Sequence, residues 1–224
     1  MPKVTQEYLD AKRKEIIDAA YRVSLCKTMC TITMQDVINE SGLSQGGIYR
    51  YYKDVDEILA DMICDIRSRI CIIPKVDDIL HSEESFENKL KACIDILAEI
   101  LEDDLFEIGR LNCEITNFAL NYPDRIKKIL NNAKIPSNKG YLREAVYSIV
   151  KSEIDNRLSN SVNMKYSLEE IFSFIVFSYT GVETETVFNK NNALAGKFVE
   201  TLFSPRKMLE IVYDNVIRMM NEEA

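Results

Sequence analysis

The chain of 224 residues holds only one histidine, His81, and its six cysteines include no C-x-x-C pair. Structural zinc needs paired Cys or His ligands at short spacing, so no metal and no cofactor are expected. Glycine is sparse, seven residues in all, and none builds a phosphate-cradling loop. A nucleophile motif and paired histidines are also missing, and the Asp and Glu residues are scattered where helix surfaces normally carry charge. An enzyme is not expected. No apolar run approaches the roughly 20 residues that span a bilayer, and no basic-then-apolar signal peptide opens the sequence. A cytoplasmic protein without a membrane partner follows. Cys26, Cys30, Cys64, Cys71, Cys93 and Cys113 read as buried reduced thiols acting as small apolar residues, with redox sensing or metal binding as the alternatives.

What is present is concentrated in residues 33–53, TMQDVINESGLSQGGIYRYYK. Thr33 followed three residues later by Asp36 is a helix start: the hydroxyl caps an early amide and the carboxylate faces the positive helix end. Val37, Ile38 and Ser41 form a narrow inner stripe, and Gly42 is a left-handed stop. Leu43 packs in the turn, Ser44 caps a second helix, and Ile48 anchors its inner side. The opposite face, Gln45, Gly46 and Gly47, carries almost no bulk, so a DNA backbone or base edge can approach closely. Tyr49, Arg50, Tyr51, Tyr52 and Lys53 then supply phenol, guanidinium and ammonium donors suited to phosphate oxygens. Two short helices joined in this way form a helix-turn-helix. The competing reading is an ordinary helical hairpin with core tyrosines and solvated Arg50 and Lys53. Residues 12–23 weigh against it, because Ile16, Ile17, Ala20 and Val23 share one face and make a first helix that covers the other two.

Charge is distributed in the same sense. The whole chain carries −8, yet residues 1–53 hold eight basic against six acidic side chains, a net +2 that leaves −10 for the remainder. A weakly basic headpiece on an acidic body orients toward DNA, with modest non-specific affinity and moderate salt sensitivity.

Over residues 12–59 the chain resembles the N-terminal domain of TetR-family transcriptional regulators. The matching residues are Ile16, Ile17, Ala19 and Ala20; Thr33 and Asp36 to Ile38; then Ser41 through Gly46, Ile48, Tyr49, Tyr51 and Tyr52. The resemblance implies that Gln35 and Gln45 reach base edges, where each can pair bidentately with adenine, and that Thr33, Tyr49, Tyr51 and Lys53 touch the backbone. With Ser44, Gly46, Gly47 and Arg50 these make the expected DNA-binding set. Two departures stand out: Thr28 replaces a usual glycine after helix 1, and Val55 replaces a common phosphate-binding lysine, which leaves Lys53 to carry that role alone.

An all-α fold is expected, with a three-helix headpiece in residues 1–54 and a larger ligand-binding and dimerisation domain in 55–224. Asp54 caps a helix running to Ile73 before Pro74, with Ile58, Leu59, Met62, Ile63, Ile66 and Ile70 inward. Periodicity predicts further helices over 85–102, with Leu90, Cys93, Ile94, Leu97 and Leu101 inward, and over 104–121, with Leu105, Ile108, Leu111, Ile115 and Phe118 inward. A short helix follows Pro123, another runs over 141–158 after a break at 136–140, and 159–163 is a loop. Ser167 to Glu170 is a capping box opening a helix over 168–188, and Ser204-Pro205 precedes a helix over 208–220. The helix over 168–188 is apolar on more than one face. In the resembled family two such C-terminal helices from each subunit form a four-helix dimer interface; the alternative is the central helix of a monomeric bundle.

These features together predict a homodimeric regulator, most simply a repressor released from a palindromic double-stranded DNA operator by an unknown small-molecule effector. Control by a protein partner is the alternative. Candidate effector contacts are polar Asn112, Thr116 and Asn117 with an aromatic wall of Phe118, Phe172 and Tyr179, although such residues equally make the wet face and the core of amphipathic helices.

Overall fold

The computed structural model describes residues 5–102, 106–190 and 204–223. Within them the chain is helical: α1 (Gln6–Cys26), α2 (Met34–Ser41), α3 (Gln45–Tyr49), α4 (Val55–Ser68), α5 (Ile73–His81), α6 (Phe86–Glu102), α7 (Phe106–Asn121), α8 (Pro123–Asn132), α9 (Asn138–Ser159), α10 (Leu168–Lys190) and α11 (Pro205–Asn221). No strand is found among the described residues, and none of their helices is long and apolar enough to cross a membrane.

Two compact units emerge, one from residues 1–70 and 111–136 and the other from 71–110 and 137–224. This differs from a division at residues 54 and 55. α4 packs on α1, and α8 packs on α4, so both group with the headpiece. Its buried side chains include Ile16, Ala19 and Ala20 of α1, Val37 and Ile48 of the short helices, Ile58, Leu59, Met62 and Ile63 of α4, and Phe118, Ile126 and Ile129 from further along. Ile17 and Val23 are half-buried.

In the second unit α6 packs on α9 and α11, and α10 on the same two helices. The expected α6 stripe, Leu90, Cys93, Ile94, Leu97 and Leu101, is buried throughout. It meets a core that includes Leu142, Val146 and Val150 of α9, Ile171 and Ile175 of α10, and Leu209 and Val216 of α11. Glu183, only 2% exposed, is paired there with Lys139 and accepts the Tyr179 hydroxyl at 3.0 Å. A buried carboxylate is tolerated because cation and hydroxyl replace the lost hydration.

Several boundaries differ from expectation for local reasons. The helix capped by Asp54, whose carboxylate accepts the Glu57 amide at 3.0 Å, ends at Ser68 instead of running to Ile73, which leaves Ile70 outside it. Pro74 opens α5; in a first turn its missing N–H has no intrahelical partner to lose. α9 starts at Asn138 because Ser137 accepts the Gly140 amide at 3.2 Å, so part of the expected break is helix. Of the inner positions expected on α7, Ile108, Leu111 and Phe118 are buried and Ile115 is half-buried, while Leu105 lies outside the described residues. The capping box of α10 is formed reciprocally, Ser167 N–H to Glu170 at 2.9 Å and Glu170 N–H to the Ser167 hydroxyl at 3.2 Å.

The cysteines correct the sequence reading. Only Cys93 is buried, and burial pushes its thiol up to about 12. Cys26 and Cys71 are exposed, and Cys30, Cys64 and Cys113 intermediate.

Candidate nucleic-acid interface

α2 and α3 together hold thirteen residues, eight and five, too few to be stable alone, so their ends are fixed by side chains. Thr33 accepts the Asp36 amide at 3.2 Å, and the Asp36 carboxylate receives the Thr33 amide at 2.8 Å and hydroxyl at 2.6 Å. Lys27, just past α1, adds an ion pair to Asp36 at 2.7 Å. Hydrogen bonds from Lys27 and then from Thr33 hold this carboxyl at about 2, well below its ordinary value. Arg22 of α1 reaches Glu40 of α2 at 2.6 Å.

Gly42 closes α2 at φ +68°, a conformation that strains any residue with a Cβ, and donates to Ile38 O at 3.2 Å. Ser44 then caps α3 by accepting the Gly47 amide at 3.2 Å. Ile48 is fully buried and turns the opposite face of α3 outward. On that face Gln45 and Gly46 are exposed and Gly47 half-buried; a Cβ built on Gly46 would meet nothing within 4 Å. α3 is therefore anchored on one side and bare on the other.

Most of the expected DNA-binding residues are accessible. Thr33, Gln35, Ser44, Tyr49, Arg50 and Lys53 are exposed and Tyr51 is half-buried. Gln35 donates to Asn39 at 2.8 Å, an amide neighbour that sequence reasoning did not select. Lys53 pairs with Glu57 at 2.8 Å, which raises the lysine pKa and lowers that of the glutamate. A phosphate would have to displace that carboxylate. Tyr52 is a correction to the phenol cluster: it is 3% exposed and donates to Asp61 at 2.9 Å. Burial and then the neighbouring carboxylate push its phenol pKa upward, so it fastens the chain after α3 to α4 instead of facing a ligand.

The six candidate effector contacts do not come together in one unit. Asn112, Thr116, Asn117 and Phe118 fall in the first, whereas Phe172 and Tyr179 fall in the second. Thr116 and Asn117 are exposed and bonded along their own helix, Thr116 donating to Asn112 O at 2.9 Å and Asn117 Oδ1 accepting from Asn121 Nδ2 at 3.1 Å. Phe118 is fully buried, Tyr179 nearly so, and Phe172 makes an edge-to-face contact with Tyr147. The second unit does contain a cleft of about 340 Å³, lined by Leu80, Phe86, Lys89, Ser148, Ile149 and Ser152 among others, and none of the six borders it. Among the described residues no group of three or more His, Cys, Asp or Glu is arranged to hold a metal ion.

No family model matches the chain. It is 42% identical over 62 residues to the helix-turn-helix transcriptional regulator YfiR of Bacillus subtilis, covering 28% of this chain and 30% of that protein. It is 25% identical over 116 residues to a helix-turn-helix transcriptional repressor of Mycobacterium tuberculosis, covering 49% and 62%. The matched segments thus span less than two thirds of either relative. A TetR transcription regulator from Haloarcula marismortui superposes over 95% of this chain and 97% of its own, with a TM-score of 0.56 at 18% identity. The class defined by fold and site is an all-helical chain with an N-terminal helix-turn-helix headpiece. Within that class, the fold is that of the TetR regulators.

Proposed function

We propose that this chain is a DNA-binding transcriptional regulator of TetR type, acting as a homodimeric repressor that a small molecule releases from a palindromic operator. The observation that carries the reading is α3, anchored by the buried Ile48, exposed at Gln45 and open at Gly46. A helix with that asymmetry can enter a major groove without a bulky side chain holding the backbone away. Gln35 and Gln45 are the base-reading residues; Thr33, Ser44, Tyr49, Arg50, Tyr51 and Lys53 position the phosphates, with Gly46 and Gly47 allowing close approach.

Dimerisation is supported by α10 and α11. Phe177 is 74% exposed, Phe188 43% and Ile211 46%, while a Cβ on Gly181 would meet nothing within 4 Å. Large exposed apolar side chains on two neighbouring helices call for a covering surface, and a second copy supplies one in register. An effector that prefers the geometry unable to bind DNA lowers operator affinity by its differential affinity for the two states. Control by a protein partner is the second reading, since the exposed Phe177, Phe188 and Ile211 would equally serve a different polypeptide as a docking surface.

Selection of bound duplexes from a random library at near-physiological salt tests the reading. Enrichment of a palindrome is expected. Absence of enrichment would overturn it. With the operator in hand, release by a metabolite collection as against release only by another polypeptide separates the two modes of control.

A further inference from the structure

The recognition segment, residues 33–53, is held at both ends by one side chain from far along the sequence. Arg125, in the first turn of α8, donates from Nη1 to the Cys30 carbonyl at 3.0 Å, in the turn leading to α2. The same guanidinium gives Nε at 2.9 Å and Nη2 at 2.7 Å to the Asp56 carboxylate, at the start of α4 just after the segment ends. Its face lies 5.1 Å from the ring centre of Phe118, which is fully buried. The Arg125 and Asp56 side chains are 32% and 18% exposed, so the contact is partly screened from water, where charge-assisted bonds keep more of their strength. Glu114 of α7 holds the turn before α2 a second time, accepting the Met29 amide at 3.0 Å.

We propose that Arg125 is a positioning residue for DNA binding: it clips the segment's two ends to each other and so fixes where α3 presents Gln45. This rests on the DNA-binding reading above. Cys30 O lies three residues before the α2 cap, and Asp56 three after Lys53. Between them lie two short helices that Val37, Ile48 and the ion pairs to α1 anchor in the middle, so Arg125 acts on what those contacts leave unset, the placing of the segment's two ends. The fork geometry matters as well as the charge. A planar guanidinium spans a carbonyl and a carboxylate at once, while an ammonium presents a single point.

The test uses the full-length chain and the duplex recovered by selection, comparing wild type with Arg125→Gln, Arg125→Lys and Asp56→Ala, each verified as folded by circular dichroism and thermal melting. Operator affinity is expected to fall roughly tenfold or more in Arg125→Gln and in Arg125→Lys. Affinity for an unrelated duplex, and the slope of log K against log salt, should stay at wild-type values. Loss of stability alone would lower both affinities together in proportion to the folded fraction. A direct phosphate contact would flatten the salt slope by about one; either result overturns the proposal, as does unchanged operator affinity in a folded Arg125→Gln. If Arg125→Gln does not fold, Asp56→Ala decides by the same criteria, since it removes the carboxylate arm and leaves the guanidinium on Cys30. Failure of the wild type to select any duplex would sink the DNA-binding reading itself, before any variant is compared.

Discussion

In the first unit the short helices α2 and α3 are tied by polar cross-links in addition to a few buried side chains, whereas in the second the long helices meet along apolar faces, with ion pairs such as Lys139–Glu183 between them. Around α2 and α3, Lys27 pairs with Asp36, Arg22 with Glu40, Tyr52 with Asp61 and Arg125 with Asp56. In the second unit α6, α9, α10 and α11, of 17 to 23 residues each, present apolar stripes to one another. Helix length explains the contrast. A helix of five or eight residues has few inward positions and cannot stabilise itself, so caps and ion pairs must set its place. The long helices bury more, from four side chains on α11 to eight on α6, so packing along their faces sets their place and caps only fix their ends.

Core truncation in the second unit should give the largest effect. Leu90, fully buried, is expected to cost about 3 kcal/mol as Leu90→Ala, read from urea denaturation. A cost near zero would mean that apolar packing is not what holds that unit. In the first unit, Gln45→Ala should relax preference at one base pair by about 1 to 3 kcal/mol, while Tyr49→Phe weakens all sequences alike. Equal, sequence-independent losses would remove the readout role of Gln45. Gly42→Ala places a Cβ at φ +68° and should destabilise by about 1 kcal/mol, measurable as a lower denaturant midpoint with unchanged slope.

The smallest effect is in acid. Asp36 is held at about 2 against an ordinary 3.8, so its contribution is fully present above the ordinary value and is lost as pH falls through the interval down to about 2. The melting-temperature gap between wild type and Asp36→Asn should shrink as pH is lowered from 6 to 2.5. A constant gap would place the worth of Asp36 elsewhere than in its charged form.

The helix-turn-helix was legible because each device acts within three residues: Thr33 with Asp36, Gly42 as the stop, Ser44 with Gly47. The inner stripes of α4 and α6 were legible by the same local logic of helical spacing. Arg125 and Glu114 were not, because their partners lie 69 to 95 residues away and nothing in an amphipathic helix says which charge will be held. Tyr52 misled because a phenol among exposed phenols looks like its neighbours until Asp61 appears beneath it. The effector contacts are hard to read from sequence for a similar reason. Polar Thr116 and aromatic Phe118 sit two residues apart on one helix, and their sequence does not say which other side chains will face them.

Gly46 carries a last consequence, of a genetic kind. Since no atom of the chain lies near where its Cβ would stand, Gly46→Ala should be tolerated by the fold and even raise helix stability by roughly 0.5 to 1 kcal/mol. For the proposed regulator, the added methyl would stand between α3 and the groove. Such an allele would yield abundant, well-folded protein that no longer silences its target, and by assembling with wild-type subunits it would behave as dominant.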